Sequence, residues 1–453
     1  MSKARAVSGD LFGEESQPKI PKSSMLGAPR LRKAVRDQGL ICTDSLDDRI
    51  EEDHTVRTVW SFVEQLDLSP LLNQIKSVKG HVGRSAIDPR VQMALWLYAT
   101  IEGVGSARQL EKLCQDHRAY QWICGRVSVN YHTLSDFRTS HGALLDQLLA
   151  QSLASLVHEG LVDVNTVAQD GMRIRASAGS DTFRREGKLE EHFEQAKKHL
   201  ETLKAEIELN PAKLSSRRKK AQLRAATEKK TRLEQALEHV REIGKSREAR
   251  KKGDGQHARA STTDPQARRM KMPDGGTRPA YNAQFATDTR SGIIVGVDAS
   301  NAGNDSHQLT PMLKEVLRNT NRQPEKVLAD GGYNTRKNVN WAAQKQIALY
   351  TPVKDLKKQL AAGKDPYAPH KGDSPAMIDY RARMKEEPAK AIYQRRAQTA
   401  EWINARARGC GMYMINVRSK EKVRAVLVIL ALALNLQCAE RLRKEQKKSS
   451  SAS

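Results

Sequence analysis

With 453 residues, 38% hydrophobic and 29% charged, the chain reads as a soluble globular protein with room for about two to four domains and a real core. A formal charge of +24 attracts polyanions, and nucleic acid is the commonest partner of such a chain; the plainer reading is basicity for solubility or from one solvated coil. Five scattered cysteines (Cys42, Cys114, Cys124, Cys410, Cys438) without Cys-x-x-Cys spacing exclude a zinc site of that type and a disulfide framework, and suit reduced thiols in a cytosolic protein.

Residues 1–55 mix charge with Ser, Gly and Pro and are expected to form a flexible basic and polar arm, without the apolar stretch of a signal peptide. Residues 56–159 turn helical. Val59, Phe62, Val63 and Leu66 share a face; Asp88 and Pro89 suit the N-cap and first position of the next helix; further helices are expected over Ser106–Asp116, Tyr131–Arg138 and Leu144–His158. The polar start of Asn130–Arg138 suits a recognition helix of a DNA-binding helix-turn-helix; alternatively Tyr131 and Phe137 pack in the core while His132 and Arg138 are solvated.

The catalytic part is expected over 160–445. Val162–Gln169 is an apolar, β-branched run that delivers Asp170 to a sheet edge, where Gly171 starts a turn. Residues 184–252 interrupt it. Leu189, Phe193, Ala196, Leu200, Leu203 and Ile207 follow a heptad seam, Asn210-Pro211 ends that helix, and Leu223, Ala226, Leu233, Leu237 and Val240 mark a second. This is an inserted antiparallel helical hairpin; its 21 Lys and Arg against 12 Asp and Glu suit DNA contact, self-association or a charge-laced exposed coil.

Strands are then expected at Tyr281–Asp288 and Ile293–Ala299, joined by the Arg290-Ser291-Gly292 turn. A helix over Gln308–Arg318 and a strand over Lys326–Asp330 follow. The order of strand, insert, strand, strand, helix, strand predicts an α/β, ribonuclease-H-like domain behind an all-α N-terminal domain. Lys354–Glu387 reads as a long polar loop, Ala389–Ala407 as a helix, Cys410–Val417 as a terminal strand and Glu421–Arg443 as a buried helix. Residues 446–453 read as a disordered tail. The apolar run Ala425–Leu434 is too short to span a bilayer, so no membrane association is expected.

Asp170 and Asp330 each end an apolar strand and precede glycine. Carboxylates at adjacent strand ends can hold two divalent cations about 4 Å apart, clamping both oxygens of a phosphoryl transfer. A helix can bring in a third acid: Glu401 lies beside a stripe of Tyr393, Arg396, Ala400 and Asn404, and Arg408 follows two turns later on the Glu401 face. By itself this is an ordinary Arg/Glu-rich helix. Arg173 and Arg175 alternate after Asp170, so one can face phosphate. Asp298, Asp305 and His307 could approach the ions, although capping the following helix is the plainer role for Asp305.

Taken together, several segments resemble the DDE transposases of bacterial insertion sequences: Asp170-Gly with Arg173-Ile-Arg-Ala-Ser-Ala, Ser261–Lys271, Ala280–Gln284, Leu328–Tyr333, and the Tyr393/Arg396/Glu401 signature. The resemblance runs from about residue 56 to residue 443. It implies DNA transposition with Asp170, Asp330 and Glu401 as the Mg²⁺- or Mn²⁺-binding triad for two ions, and Tyr393 and Arg396 near the cleaved strand. It further implies element-end and target DNA as partners, a homodimer pairing two ends, and action in the cytoplasm at the nucleoid. Arg408 stands where the family commonly has Lys, Trp402–Asn404 replace a Phe-Gly pair, and Ser419 stands where Gly is usual. A nuclease without strand transfer and a domesticated DNA-binding protein are the alternatives.

Overall fold

The computed structural model describes residues 44–77, 85–209 and 217–451. Most of the expected arm, Cys42, the Asn210-Pro211 helix stop and the last two residues of the tail lie outside them.

The N-terminal helices are α1 (Thr55–Glu64), α2 (Ser69–Leu72), α3 (Pro89–Ile101), α4 (Ala107–Asp116), α5 (Arg118–Cys124), α6 (Tyr131–Ser140) and α7 (Gly142–His158). Their starts are written in the caps. Asp88, Ser106 and Asn130 accept hydrogen bonds from the backbone N–H of Arg90, Gln109 and Thr133, satisfying donors that a helix leaves unpaired. Helix α5 had no expectation behind it; its seven residues are too few for an apolar period to register. Arg138 departs from both readings of its helix. It is 5% exposed, stacks 4.1 Å over the Trp96 ring and donates to the Gly105 carbonyl at 2.8 Å. It is a core residue, neither solvated nor free to read a base.

Strand β1 (Thr166–Arg175) runs straight through Asp170 and Gly171, with no turn after the acid. The reason is its neighbour β5 (Thr277–Asp288): residues Val167 to Arg175 pair antiparallel with Asp288 to Ala280, so the ladder continues past the glycine. A two-stranded ribbon of β2 (Phe183–Arg184) and β3 (Ala260–Ser261) closes the base of the insertion. Between them α8 (Glu186–Leu209) and α9 (Arg217–Arg250) pack along Leu189, Ala196, Leu233, Ala236, Leu237 and Val240 near the base, and along Leu200, Leu203 and Ala226 farther out. Arg241 pairs with Glu186 and Glu190 at one end and Lys219 with Glu206 at the other, so the helices are antiparallel.

The rest of the sheet is β4 (Arg268–Lys271), β5 (Thr277–Asp288), β6 (Ile294–Ser300), β7 (Lys326–Ala329) and β8 (Ala348–Tyr350), with α10 (Leu309–Thr320) and α11 (Arg336–Gln344) between the later strands. Among the described residues the order is β4-β5-β1-β7-β8, with β6 on the same side of β5 as β4. Strand β1 is antiparallel to β5 and parallel to β7, and β7 is parallel to β8.

The expected loop over 354–387 contains α12 (Leu356–Ala361) and α13 (Pro375–Lys385). Its Gly and Pro residues conceal a capped helix: Ser374 accepts from Met377 N, Pro375 opens α13, and the buried Tyr380 donates to the Thr351 carbonyl at 2.8 Å. The helix α14 (Glu387–Arg396) passes through a π-turn, Ala397–Glu401, into α15 (Trp402–Gly409). Cys410–Val417 is not a strand. Among the described residues it pairs only through Arg175 and Met414, and Gly411 at φ 79° carries the chain past the Gly103 carbonyl, where a Cβ would lie 2.8 Å from the oxygen.

Helix α16 (Lys420–Ser451) continues through most of the expected disordered tail. Its Lys, Glu and Gln are good helix formers, and Lys444–Glu440 and Arg441–Glu445 pairs lie one turn apart. It is the one described helix long and apolar enough to cross a membrane, yet most of its apolar stretch is buried in the protein. There it packs on α3, α6, α7 and β6. Asn435 seals the contact: its amide accepts from Ile294 N at 2.7 Å and donates to the Ile294 carbonyl at 2.8 Å.

Candidate active site

Asp170 lies in the centre of the sheet, on β1 between β5 and β7. Gln169 is in register with Ala329, so Asp330 follows just where β7 ends and the chain leaves the ladder. The parallel pairing therefore brings the two aspartates to neighbouring positions. Asp330 turns back to accept from Gly332 N at 2.8 Å, which fixes the short turn after β7.

The helix carrying Glu401 crosses over this point. Arg396 reaches Asp170 Oδ2 at 3.0 Å, and Asn404 Nδ2 donates to the same oxygen at 3.0 Å. The side chain of Asp170 is only 13% exposed. Burial pushes its carboxyl above the ordinary range; Arg396 opposes that, while Asp330 and Asp305 reinforce it. Tyr393 is also pushed up, chiefly by burial, with Arg396 acting against the shift.

Glu401 is not drawn in with the aspartates. Its side chain is 64% exposed and meets Arg396 at 3.6 Å. A single guanidinium thus spans Asp170 and Glu401. Among the described residues no group of three His, Cys, Asp or Glu side chains is gathered closely enough to hold a metal ion. The donor chemistry still fits a hard divalent cation: Asp170 and Asp330 are adjacent oxygen donors whose mutual repulsion a cation would relieve. The π-turn puts one extra residue into the helix between Arg396 and Asn404, which is how both reach Asp170 while Glu401 points outward.

The remaining predicted residues are spread around this centre. Arg173 donates to the Gly303 carbonyl at 2.9 Å, whereas Arg175 is exposed and held by its backbone to Tyr413 and Ile415. Arg408 is half-buried. Asp298 is committed elsewhere, to Arg424 at 3.2 Å. Asp305 does not cap α10, whose first turn receives no side-chain bond. Its carboxylate instead accepts from Asn282 and Gln284. The sequence contained a signal for these amides: Asn282 and Gln284 alternate within an otherwise apolar strand, on the face of Gly171 and Gln169.

Two family models match the chain. A transposase DDE domain matches residues 254–436, and a transposase domain, DUF772, matches residues 44–140. The chain belongs with the DDE transposases of insertion sequences. No curated protein and no solved structure matches it. Asp330 and Glu401 fall within the first match. Asp170 and the hairpin fall between the two, and the β1–β7 pairing of the fold brings Asp170 beside Asp330.

Proposed function

We propose that this transposase cuts DNA at the ends of its element and joins them to target DNA. The carrying observation is Asp170 and Asp330 side by side on parallel neighbours, beneath a helix that presents Arg396, Glu401 and Asn404. The strand order, with β5 antiparallel to its neighbours β1, β4 and β6 and with β1, β7 and β8 parallel, supports a ribonuclease-H-like core.

Asp170, Asp330 and Glu401 would hold Mg²⁺ or Mn²⁺, which when bound supplies activation of a water or 3′-hydroxyl and stabilisation of the leaving oxygen. The protein does the rest. Asn404 orients Asp170, and Arg396 holds its charge until the acid is needed. With Glu401 turned inward, Arg396 would be released toward a DNA phosphate, where Tyr393 beside it and Arg408 farther along the same run of helix would add contacts. The α1–α7 domain, the hairpin and the +24 charge suit binding of double-stranded terminal repeats and target, with two copies pairing two ends in the cytoplasm at the nucleoid.

Element-end DNA, Mn²⁺ or Mg²⁺ and a target plasmid test this directly. A joined product supports the reading, nicks alone indicate a nuclease, and retardation alone a binding protein. Glu401→Gln should abolish the product while leaving the melting temperature unchanged, because the side chain is exposed. End cleavage that survives this change removes Glu401 from the triad.

A further inference from the structure

Beneath the acid pair lies a layer of fully buried polar side chains: Gln169, Asn282, Gln284 and Tyr333. Polar groups at the centre of a sheet are costly unless each finds a partner, so their arrangement is informative. Tyr333 Oη donates to Gln284 Oε1 at 2.5 Å, and Gln169 Nε2 donates to the same oxygen at 3.1 Å. These two bonds fix which end of the Gln284 amide carries the nitrogen. That nitrogen donates to Asp305 Oδ1 at 2.7 Å, and Asn282 Nδ2 donates to the same oxygen at 2.7 Å. Asp305 is therefore held by neutral amides, and among the described residues no Lys or Arg forms an ion pair with it.

The glycines show where this carboxylate sits. A Cβ at Gly171 would lie 2.6 Å from Asp305 Oδ1 and 2.3 Å from Gln284 Nε2. A Cβ at Gly332 would lie 3.0 Å from Asp330 Oδ1 and 3.8 Å from Asp305 Oδ2. One acid thus fills the space beside the residue after Asp170 and faces the turn that follows Asp330. Its first oxygen is taken by the amides, while its second lies toward Gly332, in the turn after Asp330.

We infer that Asp305 is a supporting acid of the cation site, fixed by Asn282 and Gln284 so that its charge strengthens divalent-ion binding by Asp170 and Asp330. The inference rests on the reading of those two as cation ligands. It also accounts for the buried amide layer, which holds an anion in place without neutralising it. Groups around a metal's own ligands tune affinity substantially.

The test is Mn²⁺ binding to the full chain without DNA, by titration calorimetry or the Mn²⁺ electron-spin signal. Asp305→Asn should weaken binding about 10–100-fold with an unchanged circular dichroism spectrum and melting temperature. Asn282→Ala, which keeps the charge and loosens its position, should weaken it less; it carries the test if Asp305→Asn does not fold. Wild-type affinity in the folded variants, with binding lost in Asp170→Asn, overturns the role of Asp305 alone. Undiminished binding in Asp170→Asn overturns the site reading and this inference with it.

Discussion

Asp170 is held in a compromise between burial and a single guanidinium. Its carboxyl is raised in the folded protein, so the native state keeps its proton at pH values where the unfolded chain, near 3.8, has released it. A carboxyl raised in this way costs stability as pH rises above the unfolded value. Asp170→Asn removes that cost, so without divalent ions its melting temperature should fall less than the wild type's between pH 4 and 7. An equal decline in both proteins would show that Asp170 does not titrate abnormally. Ser419 offers a second residue-scale test. It adopts φ 78°, a left-handed conformation that costs a non-glycine residue roughly 1–2 kcal/mol, against about 0.5–1 kcal/mol of extra chain entropy lost by glycine. Ser419→Gly should therefore stabilise the protein by about 0.5–1 kcal/mol in urea unfolding.

Among the elements, those with long apolar periods or well-formed caps were legible in the sequence. The heptad of α8, the recurring apolar residues of α9, the Asp88-Pro89 start of α3 and the β5–β6 hairpin all carry their signals within the element itself. What the sequence concealed depends on partners elsewhere. The continuation of β1 past Gly171 is decided by β5, more than a hundred residues on, and the burial of Arg138 by Trp96. Helix α13 was hidden by the Gly and Pro residues around it. The candidate site was legible as residue types but not as geometry: nothing local to Glu401 tells that a π-turn leaves it exposed while Asn404 reaches Asp170. The hairpin lends itself to excision, because β2 and β3 pair directly at its base, Phe183 with Ser261 and Arg184 with Ala260. Replacing residues 186–257 by a short Gly-Ser turn should leave the remaining chain folded, as judged by a cooperative melt. If the hairpin contacts DNA, retardation of element-end DNA should weaken and its salt dependence become shallower.

At the scale of the whole molecule, the N-terminal helices and the sheet share one hydrophobic core. Arg424 on α16 stitches the parts together through Asp146 of α7, Asp298 of β6 at 3.2 Å and Glu315 of α10 at 2.7 Å. Glu315 is pushed up by burial, with Arg424 opposing the shift. Arg424→Met would strip Asp298 of its cation and leave Asp146 and Glu315 with Arg318 alone. It should destabilise the whole chain by about 3 kcal/mol, the lower end for a paired charge because the cluster is partly exposed, and the loss should shrink at acid pH. A single shifted urea transition would show that both regions unfold together; two transitions would show that they do not. The shared helix also imposes an order on synthesis. Helices α3, α6 and α7 leave the ribosome long before α16, the last element of the sequence and the partner of their apolar faces. Until α16 is made, the apolar faces of α3, α6 and α7 that it covers stay exposed, so folding of the N-terminal helices is coupled to synthesis of the far end of the catalytic domain.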